Sequence, residues 1–276
     1  GKRKKNQAPK DKEMTFWDHL EELRWHIIRS FAAILLLAVL SFIARDLIFD
    51  TIILAPKDSS FITNRLLCKL ADIISVNGLC IDNLSLQIIN ISMSGQFLIH
   101  MYISIIAGLI AAAPYVIWEL WAFIRPALKR NEKKYSRGAV VVMSFLFYLG
   151  VLFSYFLIVP LTVNFLGTYQ VSEFVENHIS LRSYIKTVVS LSFSVGVVFE
   201  LPVAVFFLTK VGVLSPSFLK KNRKVAIVIV MILAAIITPA DIFSQIMVAL
   251  PLLGLYEISI LVSKRIYKRQ QMDLAG

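Results

Sequence analysis

The sequence predicts an all-α, polytopic integral membrane protein with six transmembrane helices, the last two short, and both termini in the cytoplasm. Three observations carry this expectation. Of 276 residues, 57% are hydrophobic and only 17% charged, and the mean hydropathy is +0.72; a soluble chain of this length carries more charge. The apolar residues fall into six stretches, several of them of membrane-spanning length. The net charge of +11 is gathered between those stretches, as topology signals are, rather than in a patch suited to nucleic acid.

Residues 1–14 open with "GKRKKNQAPKDKE", basic and then acidic, with no short apolar core or small-residue cleavage site. They read as a cytoplasmic tail, not a secretory signal. The membrane domain is expected over 15–263, with a long exported-side loop at 45–96 and a second cytoplasmic tail at 264–276. Its apolar stretches lie at about 25–44, 97–118, 139–160, 187–209, 225–237 and 246–262. At ~1.5 Å per residue the fifth covers only about 20 Å of a roughly 30 Å hydrocarbon core. Borrowed flanking residues, a locally thinned bilayer or burial within the bundle would each accommodate it.

Orientation follows from Lys and Arg. Segments expected inside hold twenty-two and those expected outside hold six, with Arg29 in the first span; both termini are therefore placed in the cytoplasm. Trp17, Trp25, Trp118 and Trp121 then fall at the cytoplasmic headgroup level, where an indole is favoured, and are expected to be anchors. Cys68 and Cys80 share the exported loop, where a disulfide would persist; two unpaired thiols are the alternative. The stretch Asp58–Asn83 between and around them reads as an amphipathic helix. Pro114, Pro202 and Pro251 interrupt spans two, four and six and should kink them.

Four segments carry candidate chemistry. In "TFWDHLEELRWHIIRSF" (15–31), Thr15-x-x-Asp18 reads as a capping box, and His19, Glu22, His26 and Arg29 form one helical stripe entering the bilayer. Glu21 and Arg24 stand three apart and can pair. In "WAFIRPALKRNEKK" (121–134), Glu132 is the sole acid amid the six cations of the loop that runs on to Arg137; facing Glu22, it would complete a receptor for two guanidinium groups, each taking bidentate contacts that lysine cannot make. Glu200 in "VGVVFELPVAVFF" is a mid-span carboxylate, functional by default, or else a neutral acid tying helices together. "ITPADIFSQ" (237–245) reads as a turn with Asp241 as helix cap.

In order and spacing these segments resemble the TatC family, the polytopic core subunit of the twin-arginine protein translocase. The matching pieces are "HLEELR", "WAFIRPALKRNEKK", "FELPV", and "ITPADIFSQ" with "ALPLLGLYE". The resemblance implies a subunit that recognises twin-arginine signal peptides at its cytoplasmic face and takes part in proton-motive-force-driven export of folded proteins. It implies a bacterial cytoplasmic membrane, partners of the TatA and TatB single-span types, self-association, and no cofactor. Residue by residue, it assigns signal-peptide binding to Glu22, Arg24, Phe123 and Glu132, with Arg24 orienting Glu22 or Glu21. Glu200 matches the intramembrane glutamate of the translocation step, Thr238 and Gln245 match partner-helix positions, and Pro56 matches an exported-loop proline. Two departures stand out: Gln96 replaces an acid that often precedes span two, and the 57–92 loop is long.

Two rivals have their own requirements. A proton-coupled solute transporter using Glu200 as relay should show internal repeats, and none is evident. A membrane hydrolase needs a nucleophile–base or two-acid pair at membrane depth. The sequence has no P-loop, H-E-x-x-H or Cys/His metal spacing, so the chain is expected to be a receptor rather than an enzyme.

Overall fold

The computed structural model describes residues 16–58, 61–74, 87–124, 136–170, 172, 174, 177–238 and 241–275. In chain order the helices are α1 (Phe16–Ile43), α2 (Ile62–Ile74), α3 (Gly95–Ile124), α4 (Ser136–Phe153), α5 (Val159–Thr168), α6 (Leu181–Val198), α7 (Leu201–Lys210), α8 (Pro216–Lys221), α9 (Arg223–Ile237) and α10 (Ile242–Ala275). A π-helical turn at Ser154–Ile158 joins α4 to α5, so that 138–168 form one rod. The pair α6–α7 is nearly continuous, broken at Phe199 and Glu200 just before Pro202.

Five of these units are long and apolar enough to cross a membrane: α1, α3, α4–α5, α6–α7 and α10. The remaining apolar helix, α9, has 15 residues, about 22 Å at ~1.5 Å per residue. The last helix departs from expectation. It was expected to be short, yet α10 runs for 34 residues, because helix-compatible residues carry it through Lys264 and Arg265 into the expected tail.

The core is built around α6, whose Ile185, Val188, Leu191 and Val195 are buried. Ile103 of α3, Ile158 and Val159 of the α4–α5 rod, and Val248 and Leu252 of α10 pack onto it. At one end, strands of two residues, β1 (Ile88–Ile89) and β2 (Ile179–Ser180), pair in parallel. There Tyr155 and Tyr184 donate their hydroxyl hydrogens to the carbonyls of Ile52 and Ile53, which pins the turn following α1.

Proline accounts for much of the remaining detail. A helical proline leaves the carbonyl four residues earlier without its N–H donor, and hydrocarbon supplies no water in its place. For Pro114 that carbonyl belongs to Ile110, and the Tyr148 hydroxyl donates to it at 3.2 Å. For Pro160 it belongs to Phe156, and the Thr63 hydroxyl of α2 donates to it. Distant side chains thus repair both gaps.

Small residues set the helix spacing. A Cβ built on Gly108 would lie 2.5 Å from the Ala38 backbone nitrogen, and one on Gly150 would lie 2.9 Å from the Gly196 Cα. The α1–α3 and α4–α6 crossings therefore bring backbone close to backbone, as membrane helices do.

Candidate functional site

Where the beginning of α1 meets the end of α3, two stripes face each other. On α1 the stripe is Glu22, His26 and Arg29; on α3 it is Tyr115, Glu119 and Phe123, at i, i+4 and i+8. The helices run antiparallel, so the residues meet in matching order. His26 is the hub. Its Nδ1 bonds Glu119 Oε2, its Nε2 lies 4.0 Å from Glu22 Oε1, and its ring meets that of Phe123 edge-on at 6.2 Å. Tyr115 and Arg29 both act electrostatically on Glu119 from one turn deeper.

Burial distinguishes the two carboxylates. The Glu119 side chain is 1% exposed and that of Glu22 is 34% exposed. Glu119 Oε1 and Glu22 Oε2 are both buried with no hydrogen-bond partner among the described residues. Arg24, expected to orient a glutamate, is exposed. No ion pair joins it to Glu21 or Glu22 among the described residues. The basic side chain beside Glu22 is His26. Glu132 and Thr15 lie outside the described residues, as does the side chain of His19.

Glu119 is the residue that sequence reasoning passed over as the mere end of a span. Its signal was present: it is the sole acid in the thirty residues of α3, and it sits at helical spacing from Tyr115 and Phe123. Trp121 is a second correction. It is 5% exposed, stacked at a tilt 4.3 Å from Phe207, because its position on α3 points inward. It is therefore no headgroup anchor, whereas Trp25 and Trp118 are half-exposed. Trp121 instead lines an apolar cavity of about 660 Å³ with Val142, Phe199, Pro202, Phe206 and Lys210.

Glu200 occupies the break between α6 and α7. Both of its carboxylate oxygens are buried without a partner among the described residues. The carbonyl of Glu200 accepts the N–H of Val203 and Ala204, so the backbone is satisfied and the side chain is not.

At the α9–α10 turn, Asp241 Oδ1 accepts the Ser244 N–H at 2.7 Å. Gln245 donates its side-chain amide to the Met231 carbonyl at 3.1 Å, and the buried Thr238 hydroxyl donates to the Ala234 carbonyl. At the other end of α9, Arg223 pairs with Glu257 at 2.6 Å, and nearby the Lys264 ammonium lowers the pKa of Lys220 from the usual lysine value. On the far side of the bundle Pro56 is buried in a short 3₁₀ turn, and its carbonyl accepts from Asn64 Nδ2 at 3.4 Å. Cys68 is disulfide-bonded; Cys80, its expected partner, lies outside the described residues.

Comparison with known proteins gives these positions a context. Residues 18–251 match the family model described as Sec-independent protein translocase protein (TatC). The chain is 42% identical to the Sec-independent protein translocase protein TatC of Blattabacterium sp. subsp. Periplaneta americana, over 94% of this chain and 98% of that protein. It is 33% identical to the corresponding protein of Carboxydothermus hydrogenoformans, over 94% and 97% of the two chains. Two crystal structures of a twin-arginine translocase receptor, TatC, superpose on it. One has a TM-score of 0.70 at 31% identity, covering 90% of this chain and 99% of that one. The other, in DDM, has a TM-score of 0.73 at 32% identity, covering 89% and 99%.

Proposed function

The chain belongs to the TatC family of Sec-independent protein translocases and is a multi-pass membrane protein, and from that premise we propose that it is the receptor for twin-arginine signal peptides. In this reading Glu22 and Glu132 take the two guanidinium groups at the cytoplasmic face, with Phe123 beside them. The observation that carries it is Glu22 itself. Its carboxylate stands at the α1–α3 junction, a third exposed, with one oxygen beside His26 and the other buried without a partner. A guanidinium offers the donors that such an oxygen lacks, and its planar fork suits a carboxylate better than an ammonium does.

The rest of the chain fits the same role. Six spans with both termini cytoplasmic, in a bacterial inner membrane, follow if the short α9 crosses a thinned bilayer. Export would draw on the proton motive force, with Glu200 as the intramembrane group of the translocation step. Single-span TatA-type and TatB-type subunits would dock near Thr238 and Gln245, and copies of this chain would self-associate. Pro56, Asp241 and a Cys68–Cys80 bridge would shape the exported side. The chain then acts as a translocase component, not an enzyme, and no cofactor enters. A solute transporter relayed by Glu200 is set aside because the family is one of protein translocases.

The test is binding of a labelled twin-arginine signal peptide to the purified chain in nanodiscs, beside its twin-lysine counterpart. We expect arginine to be preferred, and Glu22→Ala or Glu132→Ala to weaken binding at least tenfold, or about 1.4 kcal/mol. Equal binding of both peptides, unmoved by either substitution, would remove the receptor assignment.

A further inference from the structure

Glu119 lies outside the pair of acids assigned to the arginines, yet it is the most deeply buried carboxylate of the junction, with its side chain 1% exposed. A carboxylate in that setting requires a partner, and it has one in His26, 93 residues away in sequence. His26 in turn reaches Glu22, four residues back on its own helix. The three form a chain that begins in the protein interior and ends at the part-exposed Glu22 side chain.

We propose that Glu119 and His26 are positioning residues for Glu22: buried Glu119 anchors the imidazole, and the imidazole, 4.0 Å from Glu22 Oε1, holds that carboxylate in place for the incoming guanidinium. The inference rests on the receptor reading above. An i, i+4 pair on a free helix surface is weak, about 0.2–0.5 kcal/mol, chiefly because two mobile side chains must be ordered. Here one partner is already fixed from α3, so that ordering cost is largely met. Among the described residues, the groups facing His26 are Glu22 on α1 and Glu119 and Phe123 on α3, while Arg29 and Tyr115 act on Glu119. Of these, Glu22 and Glu119 are the carboxylates, and only an imidazolium bonds Glu119 through Nδ1 while offering Glu22, 4.0 Å from Nε2, a charge to pair with.

The sign of the pH dependence follows. A neutral His26 carries no charge with which to hold Glu22, so signal-peptide binding should weaken as pH rises and the imidazolium loses its proton. A tie that merely braces α1 against α3 has no such consequence for peptide binding. If His26 instead competed with the guanidinium for Glu22, binding would strengthen as pH rises.

The experiment measures affinity of the twin-arginine peptide for the full chain in nanodiscs between about pH 5.5 and pH 8.5, spanning the imidazole range. The wild type should bind roughly fivefold more weakly at the alkaline end. His26→Arg, a permanent cation, should keep the acid-end affinity throughout and lose the slope. His26→Gln and Glu119→Gln should bind roughly fivefold more weakly at the acid end, also without slope. Thermal unfolding of each variant is recorded alongside; should Glu119→Gln not fold, the contrast of His26→Arg with His26→Gln decides alone. The proposal is overturned if His26→Gln matches the wild type at every pH, or if wild-type binding is flat or strengthens as pH rises. Loss of preference for arginine over lysine in the wild type would sink the receptor reading itself. Retained preference, with Glu22→Ala defective and the His26 and Glu119 variants normal, would sink only the positioning role.

Discussion

Glu119 and Glu200 are both carboxylates set into apolar helices, and their surroundings differ completely. Glu119 ends a helix that packs along α1, and α1 presents it with His26 and Arg29. Glu200 sits at the α6–α7 break among Phe199, Leu201 and Pro202, and neither oxygen meets a donor among the described residues. Hydropathy alone treats the two alike, because each is a single acid in an apolar run. What separates them is which helix lies opposite. The α1–α3 crossing compensates one carboxylate from within the chain. The other has no hydrogen-bond partner for either oxygen among the described residues.

The largest expected effect comes from breaking that difference directly. His26→Ala leaves Glu119 buried without its hydrogen-bonding partner and should cost about 3–5 kcal/mol, the usual penalty for removing one partner of a buried pair. Replacing both, as His26→Leu with Glu119→Leu, should recover most of the loss, since no orphaned charge remains. Glu200→Gln breaks no pair among the described residues and should change stability by under ~1 kcal/mol, while abolishing export if Glu200 serves the translocation step. Unfolding followed by tryptophan fluorescence in detergent would rank the three. Equal losses for His26→Ala and Glu200→Gln would show that the two carboxylates are not held differently.

Much of the fold was legible because membrane-spanning helices are written in composition: α1, α3, α4–α5, α6–α7 and α9 all lie where hydropathy placed apolar runs. The α1 stripe was legible too, since Glu22, His26 and Arg29 follow the helical repeat. Its partner was not. Pairing His26 with Glu119 requires knowing that α1 and α3 run side by side, and at what depth, which no local window contains. Trp121 was misplaced for a related reason: an indole near a span end suits the interface, but its azimuth on α3 turns it toward Phe207. The repair of Ile110 and Phe156 carbonyls by Tyr148 and Thr63 was likewise invisible, because a proline announces the missing donor and not its replacement.

A smaller effect sharpens the comparison by moving the helices rather than the charges. Gly108 meets the Ala38 backbone, so Gly108→Ala forces α1 outward and should cost about 1–3 kcal/mol, the range for overpacking a filled site. Gly254, where a Cβ would meet nothing within 4 Å, serves as the control. Gly254→Ala should be neutral or stabilising by up to about 1 kcal/mol through helix propensity. If the α1–α3 spacing holds His26 against Glu119, Gly108→Ala should also weaken signal-peptide binding, whereas Gly254→Ala should leave it alone. Comparable thermal midpoints for the two variants would mean that the crossing is looser than the backbone approach requires.

The smallest effect is expected at an ion pair that looks strong by distance alone. Arg223 and Glu257 approach to 2.6 Å, but their side chains are 49% and 52% exposed. Water and salt reach both groups, and two long side chains must be ordered to hold the contact. Arg223→Ala should therefore cost less than about 1 kcal/mol, and that difference should shrink further at high salt, where the Debye length falls to a few ångströms. His26 and Glu119 are set apart by burial, at 14% and 1% exposed, so the penalty for breaking them should persist in the same salt. A loss at Arg223 that rivals the loss at His26 and resists salt would mean that α9 is held to α10 by charge. Its short length would then depend on that clamp, and burial would no longer be what ranks the ion pairs of this chain.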